Sequence, residues 1–139
     1  MSVEIVFPIE FIVAGTPVSF QAKRPETRIA WRNRVRRASD AALPEGHFAT
    51  DAPIAVTLFY FPEQEMAGDI DNIVKPVLDA LCRHVYRDDR QVARVWVQKF
   101  EPAAVVRFGA PSNVLAEAVG RVRPFLYIRL SDDPMEGLA

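Results

Sequence analysis

Cysteine occurs once in the 139 residues, at Cys82, and histidine twice, at His47 and His84. One thiol forms no internal disulfide, which excludes a disulfide-stapled scaffold and points to a reducing, cytosolic setting. Cys82 sits inside an apolar run, where a thiol behaves as a small hydrophobe and fills core. Neither histidine has a partner at metal-ligand spacing, so both read as structural or surface residues. Also missing are a Cys-x-x-Cys pair, a Ser/His/Asp order and a phosphate-cradling glycine loop. No apolar run reaches the roughly 20 residues that span a bilayer. The amino terminus carries Glu4 and Glu10 among its apolar residues and has no cationic leader, so no secretory signal is expected. A soluble protein without a membrane partner follows.

Half of the residues are hydrophobic and a quarter are charged, the balance of one globular domain over 1–139 with a substantial core. The net charge of −1 argues against a general nucleic-acid binder. Its distribution argues otherwise. Residues 23–37 hold seven cations (Lys23, Arg24, Arg28, Arg32, Arg34, Arg36, Arg37) against Glu26, a local +6 that leaves −7 elsewhere. A basic patch and a separate acidic site are expected.

The order of elements begins with a strand over 3–13, edged or interrupted by Pro8. Turn chemistry at Gly15-Thr16-Pro17 and a cationic loop over 19–27 come next. A helix over 28–42 is capped by Thr27 and ended by the Leu43-Pro44-Glu45-Gly46 turn. Arg28, Arg32 and Arg36 recur on one face of it. The clearest strand is 53–61, β-branched and aromatic throughout. A loop then leads to a helix whose apolar positions are Val74, Val77, Leu78, Leu81 and Val85, running to about Tyr86. A strand over 92–100 follows, with Trp96 expected to pack on the core. Ser112 caps a short helix over 114–119 closed by Gly120. A last strand over 124–130 precedes a tail expected to fray from Ser131.

The segment 68–99 organises the rest. Asp69 and Asp71 flank one residue, and alternate side chains of extended chain face the same way, so both can address one cation. A hard divalent ion relieves their repulsion, and a third carboxylate would complete an oxygen-rich cage of the kind Mg²⁺ prefers. Lys75, one helical turn after Asp71, offers a positive charge on that face. The same residues also read without a metal: Asp71 or Asn72 caps the helix, Lys75 pairs with Asp79, and Asp88-Asp89 form a polar turn. An EF-hand is excluded, because Val74 stands where glycine is needed and Ala80 where the closing Glu belongs. Pro76 removes a helical bond unless the helix begins at Asn72 or later, so a kink near the start is expected.

D-I-D-N-I-V-K-P-V-L-D-A-L followed by D-D-R-Q-V resembles the RusA family of Holliday-junction resolvases. The specific likeness covers residues 69–92; outside it, only the layout is similar. The resemblance implies a single α+β domain, with a mixed sheet of about four strands packed against two main helices. It implies a Mg²⁺-dependent, homodimeric endodeoxyribonuclease of the bacterial cytoplasm, or of phage-infected cells, with Mn²⁺ as a possible substitute. Asp69, Asp71 and Asp89 match the metal ligands, and Lys75 matches the essential lysine. Asp79, Asp88 and Asn72 match supporting positions. The interval after Asp71 is about a residue shorter than the family pattern, so Asp88 stands beside Asp89 as an alternative third ligand. Lys23, Arg24, Arg28, Arg32 and Arg36 would hold the arms of a four-way DNA junction. Alternatives are a nuclease for other branched or flap DNA, and a non-catalytic DNA-binding module.

Overall fold

A computed structural model describes residues 2–19 and 22–138; Phe20 and Gln21, inside the expected cationic loop, lie outside the described residues. Strand β1 (Ile9–Ala14), helix α1 (Pro25–Asp40), strand β2 (Ile54–Phe61) and helix α2 (Asp71–Leu81) come first. A 3₁₀ turn (Asp89–Gln91), strand β3 (Val92–Lys99), helix α3 (Asn113–Val119) and strand β4 (Phe125–Ser131) complete the chain. The sheet has the order β1-β4-β2-β3: β4 pairs antiparallel with both β1 and β2, while β2 and β3 are parallel. This is the mixed four-stranded sheet of an α+β domain that the resemblance implied, and α2 is its one parallel crossover.

Alternation along the strands explains the two layers. Val56, Leu58 and Tyr60 of β2, Leu126, Ile128 and Leu130 of β4, and Phe11 and Val13 of β1 face one side. They pack there with Trp31 and Val35 of α1 and Ile73, Val77 and Leu81 of α2. Phe59 and Phe61 of β2 and Phe125 and Tyr127 of β4 face the other side, under Leu115 and Ala118 of α3. With both faces covered, every residue of β2 is buried. That is why β2 reads as a continuous apolar run rather than an alternating one.

Several expectations shift. Pro8 stands just outside β1, which starts at Ile9, because proline has no N–H for the ladder. Helix α1 starts at Pro25 rather than Arg28: proline suits the first turn, where its missing donor has no helical partner. Helix α2 ends at Leu81, five residues before Tyr86, since Cys82 turns extended and Arg83 adopts φ 67°. Pro76 lies inside α2, and neither Asp71 nor Asn72 caps it; the cap position is Ile70, without a side-chain bond.

Trp96 is half exposed on the edge strand β3, meeting Phe59 edge-on at 5.1 Å instead of filling core. The carboxyl-terminal segment is not frayed: Glu136 folds back onto Arg129 and Arg94 of the sheet. The capping of α3 follows the sequence, with Ser112 Oγ accepting from the Leu115 N–H at 3.1 Å and Gly120 closing it. No helix among the described residues is long and apolar enough to cross a membrane.

Candidate active site

Helix α2 carries a charged stripe on its solvent side, Asp71, Lys75 and Asp79, each one turn from the next. Lys75 Nζ lies 2.6 Å from Asp79 Oδ1 and 3.5 Å from Asp89 Oδ2. One ammonium therefore bridges the helix and the turn that leads into β3. The hydrogen bond to Asp79, and then the charges of Asp79 and Asp89, hold the Lys75 pKa above the ordinary lysine range. Lys75 is thus a fixed cation at neutral pH and not a proton acceptor.

Asp89 is held there by a turn with many anchors. The Thr50 N–H donates to the Val85 carbonyl at 2.9 Å, and the buried Tyr86 hydroxyl donates to the Leu78 carbonyl at 2.7 Å. Gln91 does most of the clamping. Its amide Nε2 donates to Thr50 O and Ala52 O at 2.8 and 2.9 Å, and its Oε1 accepts from the Arg87 and Asp88 N–H groups. Asp88 is the cap of the 3₁₀ turn: its Oδ1 accepts the Arg90 N–H at 2.8 Å, which lowers its pKa. The two neighbouring carboxylates thus differ in setting, Asp88 turned to Arg90 and Asp89 to Lys75.

The sequence showed Gln91 only as a motif letter; its role is visible once 50–52 and 87–91 lie side by side. Gln91→Ala removes four hydrogen bonds, taking a partner from two carbonyls and two N–H groups. A loss of about 2–3 kcal/mol is expected, read as a lower urea midpoint at unchanged slope.

Beside the Lys75 bridge opens a cleft of about 500 Å³. Arg32 and Arg36 of α1 line it together with Asp79, Arg83 and Asp89. Arg36 Nε donates to the Ala80 carbonyl at 3.1 Å, tying α1 to the end of α2. At the back, His84 Nε2 lies 3.1 Å from Ser39 Oγ and 2.9 Å from Asp40 Oδ1. Burial lowers the His84 pKa, and Asp40 opposes that only in part. The Cys82 thiol is pushed up, first by burial and then by Asp89, so it stays protonated and is no nucleophile.

Asp69 and Asn72 line a different, smaller pocket of about 90 Å³, against Pro17 and Ser19. Asp71, like Asp69, is exposed. Of the remaining expected DNA contacts, Lys23 and Arg24 are exposed at the start of α1, and Arg28 Nη1 donates to Ala22 O at 3.0 Å.

The match to protein-family models covers residues 14–107, about two thirds of the chain, and the family is described as endodeoxyribonuclease RusA. The chain belongs to the RusA family. No curated protein matches it. The RusA match runs from the end of β1 through β3, so it contains α1, α2 and the whole Lys75–Asp79–Asp89 cluster. Helix α3 and the central strand β4 lie beyond it.

The carboxylates suit a hard divalent cation by donor chemistry, all oxygen and all solvent-facing. Their placement is another matter. Among the described residues, no group of three or more His, Cys, Asp or Glu side chains is set to hold a metal ion. The structure brings Asp89 to Lys75 and Asp79, and does not gather it with Asp69 and Asp71. Asp71 opens α2, and Asp79 lies two turns on, about 12 Å along the axis. Asp89 returns beside Lys75 and Asp79, where an ammonium already balances its charge.

Proposed function

We propose that this RusA-family protein is a Mg²⁺-dependent, structure-selective endodeoxyribonuclease that resolves Holliday junctions by paired symmetric nicks. It would do so as a homodimer, in recombination and repair in the cytoplasm of a bacterial or phage-infected cell. The observation that carries this reading is the family match spanning the acidic stripe of α2 and the arginines of α1. A helix and an adjoining turn that offer carboxylates and a lysine beside guanidinium groups have the polarity a phosphodiester cleavage site needs.

Asp69, Asp71 and Asp89 are the residues proposed to hold Mg²⁺, or Mn²⁺ in its place, which when bound supplies Lewis-acid polarisation of a phosphate. The chain's own contributions follow from position. Lys75, permanently charged, stabilises negative charge that builds on the phosphate in the transition state. Asp79 holds the Lys75 ammonium in place through the 2.6 Å contact. Asp88 and Gln91 fix the turn that presents Asp89. Lys23, Arg24, Arg28, Arg32 and Arg36 bind backbone phosphates of the junction arms, giving affinity and register rather than sequence choice. A two-fold dimer would present two such sites to a pseudo-symmetric junction.

The test is cleavage of synthetic four-way junctions, flaps and linear duplex side by side, with Mg²⁺ or Mn²⁺. Symmetric nicks in the junction, faster than any cutting of flap or duplex, are expected. Faster cutting of flaps would move the substrate class, and junction binding without cleavage at any level of either metal would overturn the enzymatic reading.

A further inference from the structure

Arg83 is the only non-glycine residue with positive φ among the described residues, at φ 67°. A left-handed backbone disfavours any residue with a Cβ, and glycine or asparagine is the usual occupant. A long cationic side chain at such a position is held against the local backbone preference, and outliers of that kind cluster at functional sites. The position is fixed by its neighbours: Cys82 is extended before it, and the Arg83 N–H donates to the Tyr86 carbonyl. The side chain is exposed and lines the cleft together with Arg32 and Arg36.

The charge balance of this cleft is uneven. Three guanidinium groups face two carboxylates, Asp79 and Asp89, and both of those already share Lys75. Asp88, the next carboxylate towards Arg83, is taken by Arg90. Among the described residues, the side chains of Arg32 and Arg83 make no hydrogen bond or ion pair. Arg36 uses Nε on the Ala80 carbonyl. An anion with several acceptor oxygens would relieve their mutual repulsion, and the planar fork of arginine matches phosphate in particular.

We propose that Arg83, together with Arg32 and Arg36, seats a backbone phosphate of the bound DNA strand beside Asp89. Arg83 is then a positioning residue, holding the strand in register with the carboxylate and lysine of α2. This rests on the endonuclease reading above and extends it to a residue that lies between the two quoted pieces of the family-like motif.

Arg83→Gly separates the two properties of the position, because it removes the side chain and the backbone strain together. The experiment measures binding of a labelled four-way junction in EDTA over a salt series, with thermal melts of the same samples. Arg83→Gly should melt at or above the parent temperature. Its junction affinity should fall about 10-fold, with the slope of log K against log salt shallower by about one. Arg83→Lys should restore the slope and only part of the affinity. Parental affinity and slope in Arg83→Gly would overturn the phosphate seat. A lower melting temperature would overturn the argument from strain. A parent protein that binds no junction would overturn the endonuclease reading itself, and this inference with it.

Discussion

Asp71→Asn is expected to cut four-way junctions about 10³-fold more slowly than the parent, at junction affinity within about twofold. Asparagine matches aspartate in shape and keeps a polar group at the first residue of α2, so the local fold persists. What disappears is one negative charge. In the proposed reading, phosphate binding comes from cations at 23–36 and Arg83, and it does not weaken when an exposed carboxylate is neutralised. The helix loses one acid from its first turn, worth about 0.3–1 kcal/mol at an exposed site, so the melting temperature should barely move. Single-turnover cleavage and fluorescence anisotropy on the same junction measure the two quantities. Parental cleavage by Asp71→Asn would remove Asp71 from the reaction and the proposed metal set with it. The result matters because the three carboxylates do not stand together in this structure.

Leu58→Ala should be the most damaging single substitution away from the site, costing about 3–5 kcal/mol. Leu58 is fully buried in β2, opposite Ile128 of β4 on one side and Val97 of β3 on the other. Truncation loses the transfer energy of three carbons and leaves a cavity that two hydrogen-bonded neighbours prevent from collapsing. For a domain whose whole stability is about 5–15 kcal/mol, that is a large share. A fall of roughly 10 °C in melting temperature is expected, checked by calorimetry. A fall of under about 3 °C would mean that the core around β2 relaxes far more freely than a hydrogen-bonded central strand allows. Since β2 also delivers the chain to Asp69, residual protein should cut more slowly at temperatures near its melt.

Part of the site was legible because its chemistry is local. Asp69, Asp71, Lys75 and Asp79 fall within eleven consecutive residues, and helical spacing alone predicts that the last three share a face. The Lys75–Asp79 pair and the polar turn at 88–89, both foreseen without any metal, are present as such. Ser112 and Gly120 bounded α3 by capping chemistry that depends on two or three neighbours only. Elsewhere a distant contact overrides local composition. Arg129 and Arg94 gather in the tail that composition marks as loose. Trp96, aromatic and strand-borne, stays half exposed because β3 lies on the sheet edge.

By itself, the sequence determined the charged stripe of α2 and the basic face of α1, and its resemblance to the RusA motif implied the α+β class. The stripe and the basic face depend on side-chain periodicity and residue type, which need no partner from elsewhere in the chain. Tertiary structure alone decided that β4, last in the chain, sits between β1 and β2, and that Gln91 clamps the Asp89 turn to residues 50–52. It alone put Arg83 in one cleft with Arg32 and Arg36, and Asp89 against Lys75. Such pairings join residues tens of positions apart, and their energy comes from packing and charge that exist only once the chain has closed.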